Sequence, residues 1–187
     1  VVFMGQGEPM LNLDNVLQAI EIFNINCQIG ARRITVSTSG IAPKISEFAK
    51  ANNQSTLAWS LHAPTDEIRN KIMPINKKYP LAEMKKALDK YFEIAGRRVT
   101  IEYLLIKDLT DTMDCAKKLA ELLHSMKCNV NLIPYNPVIE NDYKKPSNNS
   151  IMKFKYILEH SGKKVTVRLE RGADIDAACG QLRGKVE

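Results

Sequence analysis

The sequence predicts an α/β fold built around a parallel sheet, and three observations predict it. Six short runs are apolar or rich in β-branched residues, and segments with helical periodicity lie between them. The runs recur at roughly 20 to 40 residues, a spacing that suits crossover connections rather than hairpins. Small and polar residues gather just after the runs, where a parallel β/α protein presents its ligand site.

The elements follow in order. Residues 1–5 form the first strand, ending in Gly5-Gln6-Gly7-Glu8-Pro9. A weak helical pattern covers 15–25, a strand 33–37, a second weak helix 43–51 and a strand 56–61. Leu81, Met84, Leu88, Tyr91, Phe92 and Ala95 recur at helical spacing and predict a helix with all six on its core face. After the strand at 99–105, Ala116, Leu119, Ala120, Leu123 and Met126 make a second such stripe. A strand at 129–133, a long loop from 137 to 149, a helix over 147–159 and a strand at 165–169 complete the chain. Right-handed crossovers leave an open doubly wound sheet or a closed or partial barrel.

A chain of 187 residues with 44% hydrophobic and 26% charged residues is expected to form one domain over 1–187. No apolar run approaches the roughly 18 residues of a membrane span, so a cytoplasmic location without a membrane partner is expected, and the chain is expected to be a monomer. Lys plus Arg 27 against Asp plus Glu 21 gives a net charge of +6, which suits a polyanionic partner. Cys27, Cys115, Cys128 and Cys179 lie far apart without a CxxC pair, and reduced thiols are expected.

Four strand ends carry candidate ligand groups. Gly7 permits close backbone approach, Pro9 fixes the chain direction, and Glu8 offers a carboxylate or a carbonyl to an ammonium group. Ser37, in Ser37-Thr38-Ser39-Gly40, and Asn136, in Pro134-Tyr135-Asn136-Pro137, suit a carboxylate or a ribose. Ser60 and His62 flank Leu61, and strand alternation would turn those two to one side. A ligand with ammonium, carboxylate and ribose groups fits all four ends.

These motifs, together with Asp66-Glu67-Ile68-Arg69, Pro74-Ile75-Asn76 and Ala178-Cys179-Gly180-Gln181-Leu182, resemble the RlmN/Cfr family of radical S-adenosylmethionine RNA methyltransferases. Gly7-Glu8-Pro9 is similar to its RlmN branch, since Gly-Glu-Ala is expected in the Cfr branch. The resemblance implies a partial (β/α) barrel of the radical SAM type with six mostly parallel strands and its first barrel strand missing. It implies S-adenosylmethionine and a 4Fe-4S cluster as cofactors, and methylation of C2 of adenosine in 23S rRNA and tRNA. Gly7 and Glu8 would hold the methionyl amino group; Ser37, Ser60, Leu61, His62 and Asn136 would complete the S-adenosylmethionine site. Cys179 would accept a methyl group and relay it to the unactivated C2 carbon after hydrogen abstraction.

One feature departs from the family. The CxxxCxxC motif that would hold the cluster does not occur here, so the cluster ligands are expected outside this chain, and the chain alone is expected to be inactive. Lys77, Lys78, Lys144, Lys145, Arg168, Arg171 and Arg183 follow strands and are candidate phosphate contacts. Arg32-Arg33, Arg97-Arg98 and Lys163-Lys164 precede strands and read as solvated ends away from the site. Two other readings stand beside the methyltransferase: a non-catalytic nucleotide- or RNA-binding β/α module, and a radical S-adenosylmethionine iron–sulfur enzyme with another substrate. Cys179 separates the first from the relay, which requires a thiol.

Overall fold

The computed structural model describes residues 1–51, 54–137 and 142–168. Six strands, β1 (Val2–Phe3), β2 (Thr35–Thr38), β3 (Thr56–Ser60), β4 (Val99–Leu105), β5 (Cys128–Pro134) and β6 (Lys164–Val167), form one parallel sheet. Their order in space is their order in sequence, β1 to β6. That order has no reversal point, so the doubly wound alternative falls and the singly wound, partial-barrel arrangement holds.

Crossovers of one hand, all advancing in one direction, put the helices on one face of such a sheet. These are α1 (Leu13–Ile25), α2 (Ala42–Lys50), α3 (Asp66–Ile72), α4 (Leu81–Ala95), α5 (Met113–Leu123) and α6 (Asn148–His160). One side of each inner strand joins them in a single core: Val36 from β2, Leu57 and Trp59 from β3, Ile101 and Tyr103 from β4, Val130 and Leu132 from β5. Phe48 of α2 stacks on Tyr91 of α4 at 6.3 Å between ring centroids, and Tyr103 of β4 meets Phe154 of α6 at 5.3 Å. Burial of these aromatic rings adds to the apolar area that the aliphatic core side chains remove from water.

The expected helix at 81–95 ends at Gly96, whose φ of 64° places it in the left-handed cap that stops a helix. Phe92 does not belong to the core face: it is 37% exposed, because Leu81, Met84, Leu88 and Tyr91 already fill the stripe. Helix α3 had no pattern in the sequence. Seven residues give it too little length for a stripe, and Thr65 defines its start by accepting the Ile68 N–H on Oγ1 at 3.4 Å.

In two of the basic doublets one member is less solvated than expected, while Arg98 and Lys164 are exposed. Arg97 is half-buried and donates to Gln54 Oε1 at 3.2 Å. Lys163 Nζ donates to the carbonyls of His124 and Met126 at 3.2 and 3.0 Å, capping the end of α5.

Candidate functional site

Because all six strands are parallel, their C-terminal ends lie along one edge of the sheet. Two side chains, Glu8 and Ser39, fasten the first ends together. Glu8, at the end of the loop after β1, accepts the Met10 N–H on Oε1 at 3.0 Å and so caps the turn Pro9–Asn12. Its Oε2 accepts the Ser39 N–H at 2.7 Å and the Ser39 hydroxyl at 2.6 Å, which ties β1 to the end of β2. A carboxylate offers about four lone-pair sites, so three protein donors leave capacity for a further cation. Gly7 makes the turn possible, with φ at 81°.

Arg69, on α3, is the hub of the next junction, and its side chain is fully buried. Nε donates to Leu61 O at 2.8 Å, Nη2 to Ser39 O at 2.6 Å and Ser60 O at 3.0 Å, and Nη1 to Asn76 Oδ1 at 2.8 Å. Asn76 Nδ2 in turn donates to Asp66 Oδ1 at 2.8 Å and Asn70 Oδ1 at 2.9 Å. The guanidinium also lies 5.5 Å from the Trp59 ring centroid. Burial pulls its pKa down to about 10, partly opposed by Asp66. Gly40 closes this region: at φ 120°, an added Cβ would lie 3.2 Å from Met84 Sδ and 3.3 Å from Trp59 Nε1.

The chain after β3 does not keep the expected alternation. Leu61 N bonds back to Trp59 O at 2.9 Å, Ala63 N to Leu61 O at 2.8 Å, and His62 between them has φ of 61°. Leu61 is therefore fully buried, while the amides of Leu61 and His62 both reach Glu102 O on β4, at 3.1 and 3.3 Å. His62 is half-buried, and its Nδ1 is buried with no partner among the described residues. Burial first, and the charge of Arg69 second, push its pKa down to about 4, so the imidazole is neutral at physiological pH. A neutral imidazole with an unused nitrogen is a receptive group for a ligand, and does not repel a cationic one.

The face of the sheet away from the helices is lined differently from the core. Ser37 and Ser60 meet on it with Oγ atoms 3.3 Å apart. Ser60, Glu102, Asn131 and Thr166 are successive register partners across β3, β4, β5 and β6. Asn136 follows Tyr135, whose N–H reaches Leu105 O at 3.0 Å, and is half-buried just past the end of β5. The structure thus brings Glu8, Ser37, Ser60, His62 and Asn136 to one edge of the sheet.

Arg168 continues β6, its N–H bonded to Leu132 O at 2.8 Å, and its side chain is exposed. Lys144 and Lys145 are exposed on the connection between β5 and α6, as expected, whereas Lys77 and Lys78, also exposed, do not follow a strand directly: Lys77 ends the 3-10 turn Pro74–Lys77 and Lys78 caps it, between α3 and α4. Cys179, Arg171 and Arg183 lie outside the described residues. Cys27 is exposed, while Cys115 and Cys128 are buried, all three as thiols. Among the described residues no group of three or more His, Cys, Asp or Glu side chains could hold a metal ion, so they do not fit a 4Fe-4S cluster. The groups at the strand ends do fit a small polar cation-bearing ligand. No helix of the described residues is long and apolar enough to cross a membrane.

Sequence reasoning did not assign roles to Arg69, Ser39 or Glu102. Glu102 carried a legible signal, as the one charged residue in the strand Val99–Leu105. Arg69 stands in the run Asp66-Glu67-Ile68-Arg69 that carries the family resemblance, but nothing in the composition of α3 marks it as buried.

Residues 1–123 match the family model of the radical SAM superfamily. The chain is 50% identical over 187 residues to a probable dual-specificity RNA methyltransferase RlmN of Lachnospira eligens, covering 99% of this chain and 53% of the relative. It is 51% identical to a dual-specificity RNA methyltransferase RlmN of Pseudomonas entomophila, covering 100% of this chain and 50% of the relative. A crystal structure of a radical SAM methyltransferase from Sphaerobacter thermophilus matches with a TM-score of 0.94 at 45% identity, over 97% of this chain and 54% of that one. The chain spans about half the length of the curated relatives it matches.

Proposed function

Since this chain belongs to the radical SAM superfamily, we propose that it forms the S-adenosylmethionine-binding half of an RNA methyltransferase that modifies C2 of adenosine in 23S rRNA and tRNA. The observation that carries the reading is the likeness over the whole chain to relatives named for dual-specificity RNA methylation. The strand-end geometry supports the cofactor.

The spare capacity on Glu8, beside the open turn at Gly7, suits the methionyl ammonium. The Ser37 and Ser60 hydroxyls suit carboxylate or ribose oxygens, the Leu61 backbone shapes the edge through its bonds to Trp59 and Glu102, and the Asn136 amide just past β5 suits the same groups. His62 remains uncharged next to a ligand that carries a sulfonium, which avoids repulsion between like charges. When bound, S-adenosylmethionine supplies the methyl group. Cys179 as thiolate would take that methyl, with S-adenosylhomocysteine as the leaving group, and would hold it as a thioether until abstraction of a methyl hydrogen makes the carbon reactive toward C2. The exposed Lys77, Lys78, Lys144, Lys145 and Arg168, with Arg171 and Arg183, contribute to phosphate contact.

The test is a hybrid in which this chain replaces the matching half of the Pseudomonas entomophila relative, expressed in cells that lack C2-methyladenosine. Nucleoside mass spectrometry is expected to find C2-methyladenosine in both 23S rRNA and tRNA. Its absence from both, with a folded and cluster-loaded hybrid, refutes the reading.

A further inference from the structure

We infer that Glu102, oriented by Asn131, accepts the hydroxyl hydrogens of a nucleoside ribose at this site; the inference rests on the S-adenosylmethionine reading of the strand ends. Position is the first argument. Glu102 is the register partner of Ser60, and adjacent strands are about 4.8 Å apart, so its side chain is the next group along the polar face. Glu8 serves an ammonium group at the β1 end of the same edge, and a ligand extended across the strands brings its nucleoside portion toward β4.

The direction of the hydrogen bonds is the second argument. Thr166 Oγ1 donates to Asn131 Oδ1 at 3.1 Å, with Val130 O as a longer alternative at 3.5 Å. That contact assigns the amide orientation, and Asn131 Nδ2 then donates to Glu102 Oε2 at 2.8 Å. Every donor in the chain points toward Glu102, and the chain ends there. Among the described residues Oε1 receives no hydrogen bond, and Arg168 acts on the carboxylate electrostatically without closing an ion pair. Glu102 is only 6% exposed, and its desolvation pushes the pKa up against the opposing effects of Asn131 and Arg168.

Glu102 Oε1, unbonded among the described residues, is reachable from the polar face and free to accept from a ligand. A ribose diol supplies two hydroxyl groups side by side, which a carboxylate accepts in the manner of ribose recognition in dinucleotide folds. Two nucleosides could bring ribose here: S-adenosylmethionine, with both hydroxyls free, and the target nucleotide, which within an RNA chain has only its 2′-hydroxyl. The geometry favours the first, because Ser60 and His62 lie beside Glu102.

The test titrates the hybrid enzyme described above calorimetrically with S-adenosylhomocysteine and with its 2′-deoxy and 3′-deoxy analogues, carrying the wild-type chain, Glu102→Gln or Asn131→Ala. Glu102→Gln keeps the shape and removes the charge. It is expected to weaken S-adenosylhomocysteine binding on the order of tenfold to a hundredfold. It should also abolish most of the wild-type preference for the diol over either deoxy analogue. Asn131→Ala is expected to give the same pattern at smaller amplitude, with the melting temperature of each variant reporting its fold. An equal loss for all three ligands, or no loss, overturns the inference and leaves the cofactor reading standing. Failure of the folded hybrid with the wild-type chain to bind S-adenosylhomocysteine overturns both. A further arm uses an RNA oligonucleotide with and without the 2′-hydroxyl at the target adenosine. If only this pair depends on Glu102, the ribose belongs to the substrate and the inference is overturned.

Discussion

Replacing Arg69 by Met keeps most of the side-chain volume and removes every hydrogen bond the guanidinium makes. Ser39 O, Ser60 O and Leu61 O then lose their Arg69 donors, at 2.6, 3.0 and 2.8 Å, and Asn76 Oδ1 loses its own at 2.8 Å. A buried polar group left unpaired costs about 1–3 kcal/mol, so four of them set the destabilising side. Relief from burying a cation offsets part of it. The expected net loss is about 3–5 kcal/mol, within the range of broken buried networks. For a chain of this size each 1 kcal/mol moves the melting temperature by roughly 2–4 °C, so calorimetry should record a fall of roughly 6–20 °C. Arg69→Lys should fall between the two, because one ammonium on a flexible stem cannot serve carbonyls on two strand ends at once. A loss below about 1 kcal/mol in Arg69→Met, with Arg69→Lys indistinguishable from it, would refute the view that this side chain holds the ends of β2 and β3 in register.

Other outcomes follow from the same geometry. His62 has a folded pKa of about 4 against an ordinary 6.5, so between those values the unfolded chain binds more protons than the folded one. Stability should therefore rise with pH through that window and level off above it, by at most about 3 kcal/mol, and His62→Gln should flatten the slope in urea titrations run from pH 4 to 7. Gly40→Ala forces a Cβ to 3.2 Å from Met84 Sδ at φ 120°, and should cost about 1–3 kcal/mol in the same assay. Gly7→Ala, with positive φ but nothing within 4 Å of the added carbon, should cost less; an equal or larger loss would contradict the packing argument.

How much of this was legible in the sequence depended on whether a signal was local. The strands Thr56–Ser60 and Val99–Leu105 were visible because β-branched and aromatic residues cluster in them, and helix Leu81–Ala95 because its apolar residues repeat at helical spacing. Phe92 was misplaced because a repeat cannot say how wide a core face is; four neighbours on the helix had already filled it. Sequence-order pairing of the strands was left open, since crossover handedness fixes the helix side but not the direction of winding. At the site, strand-end residues were found by type and position, whereas what holds them was not. The backbone at His62 turns left-handed because amides 61 and 62 converge on Glu102 O, a contact between residues forty apart. Arg69 reaches Ser39 O across thirty residues, and no local pattern encodes that.

In the proposed relay the methyl group passes through one thiol of this chain, Cys179, and a set of four cysteine variants in the hybrid enzyme tests this most directly. Cys179→Ala should abolish C2-methyladenosine in rRNA while S-adenosylhomocysteine binding persists. Cys27→Ala, Cys115→Ala and Cys128→Ala should retain it: Cys27 is exposed, and the two buried thiols contribute to packing, at about 1 kcal/mol each. Mass spectrometry of rRNA from cells carrying each variant gives the answer. Loss in Cys179→Ala alone is the predicted result, and wild-type methylation in Cys179→Ala would contradict the relay.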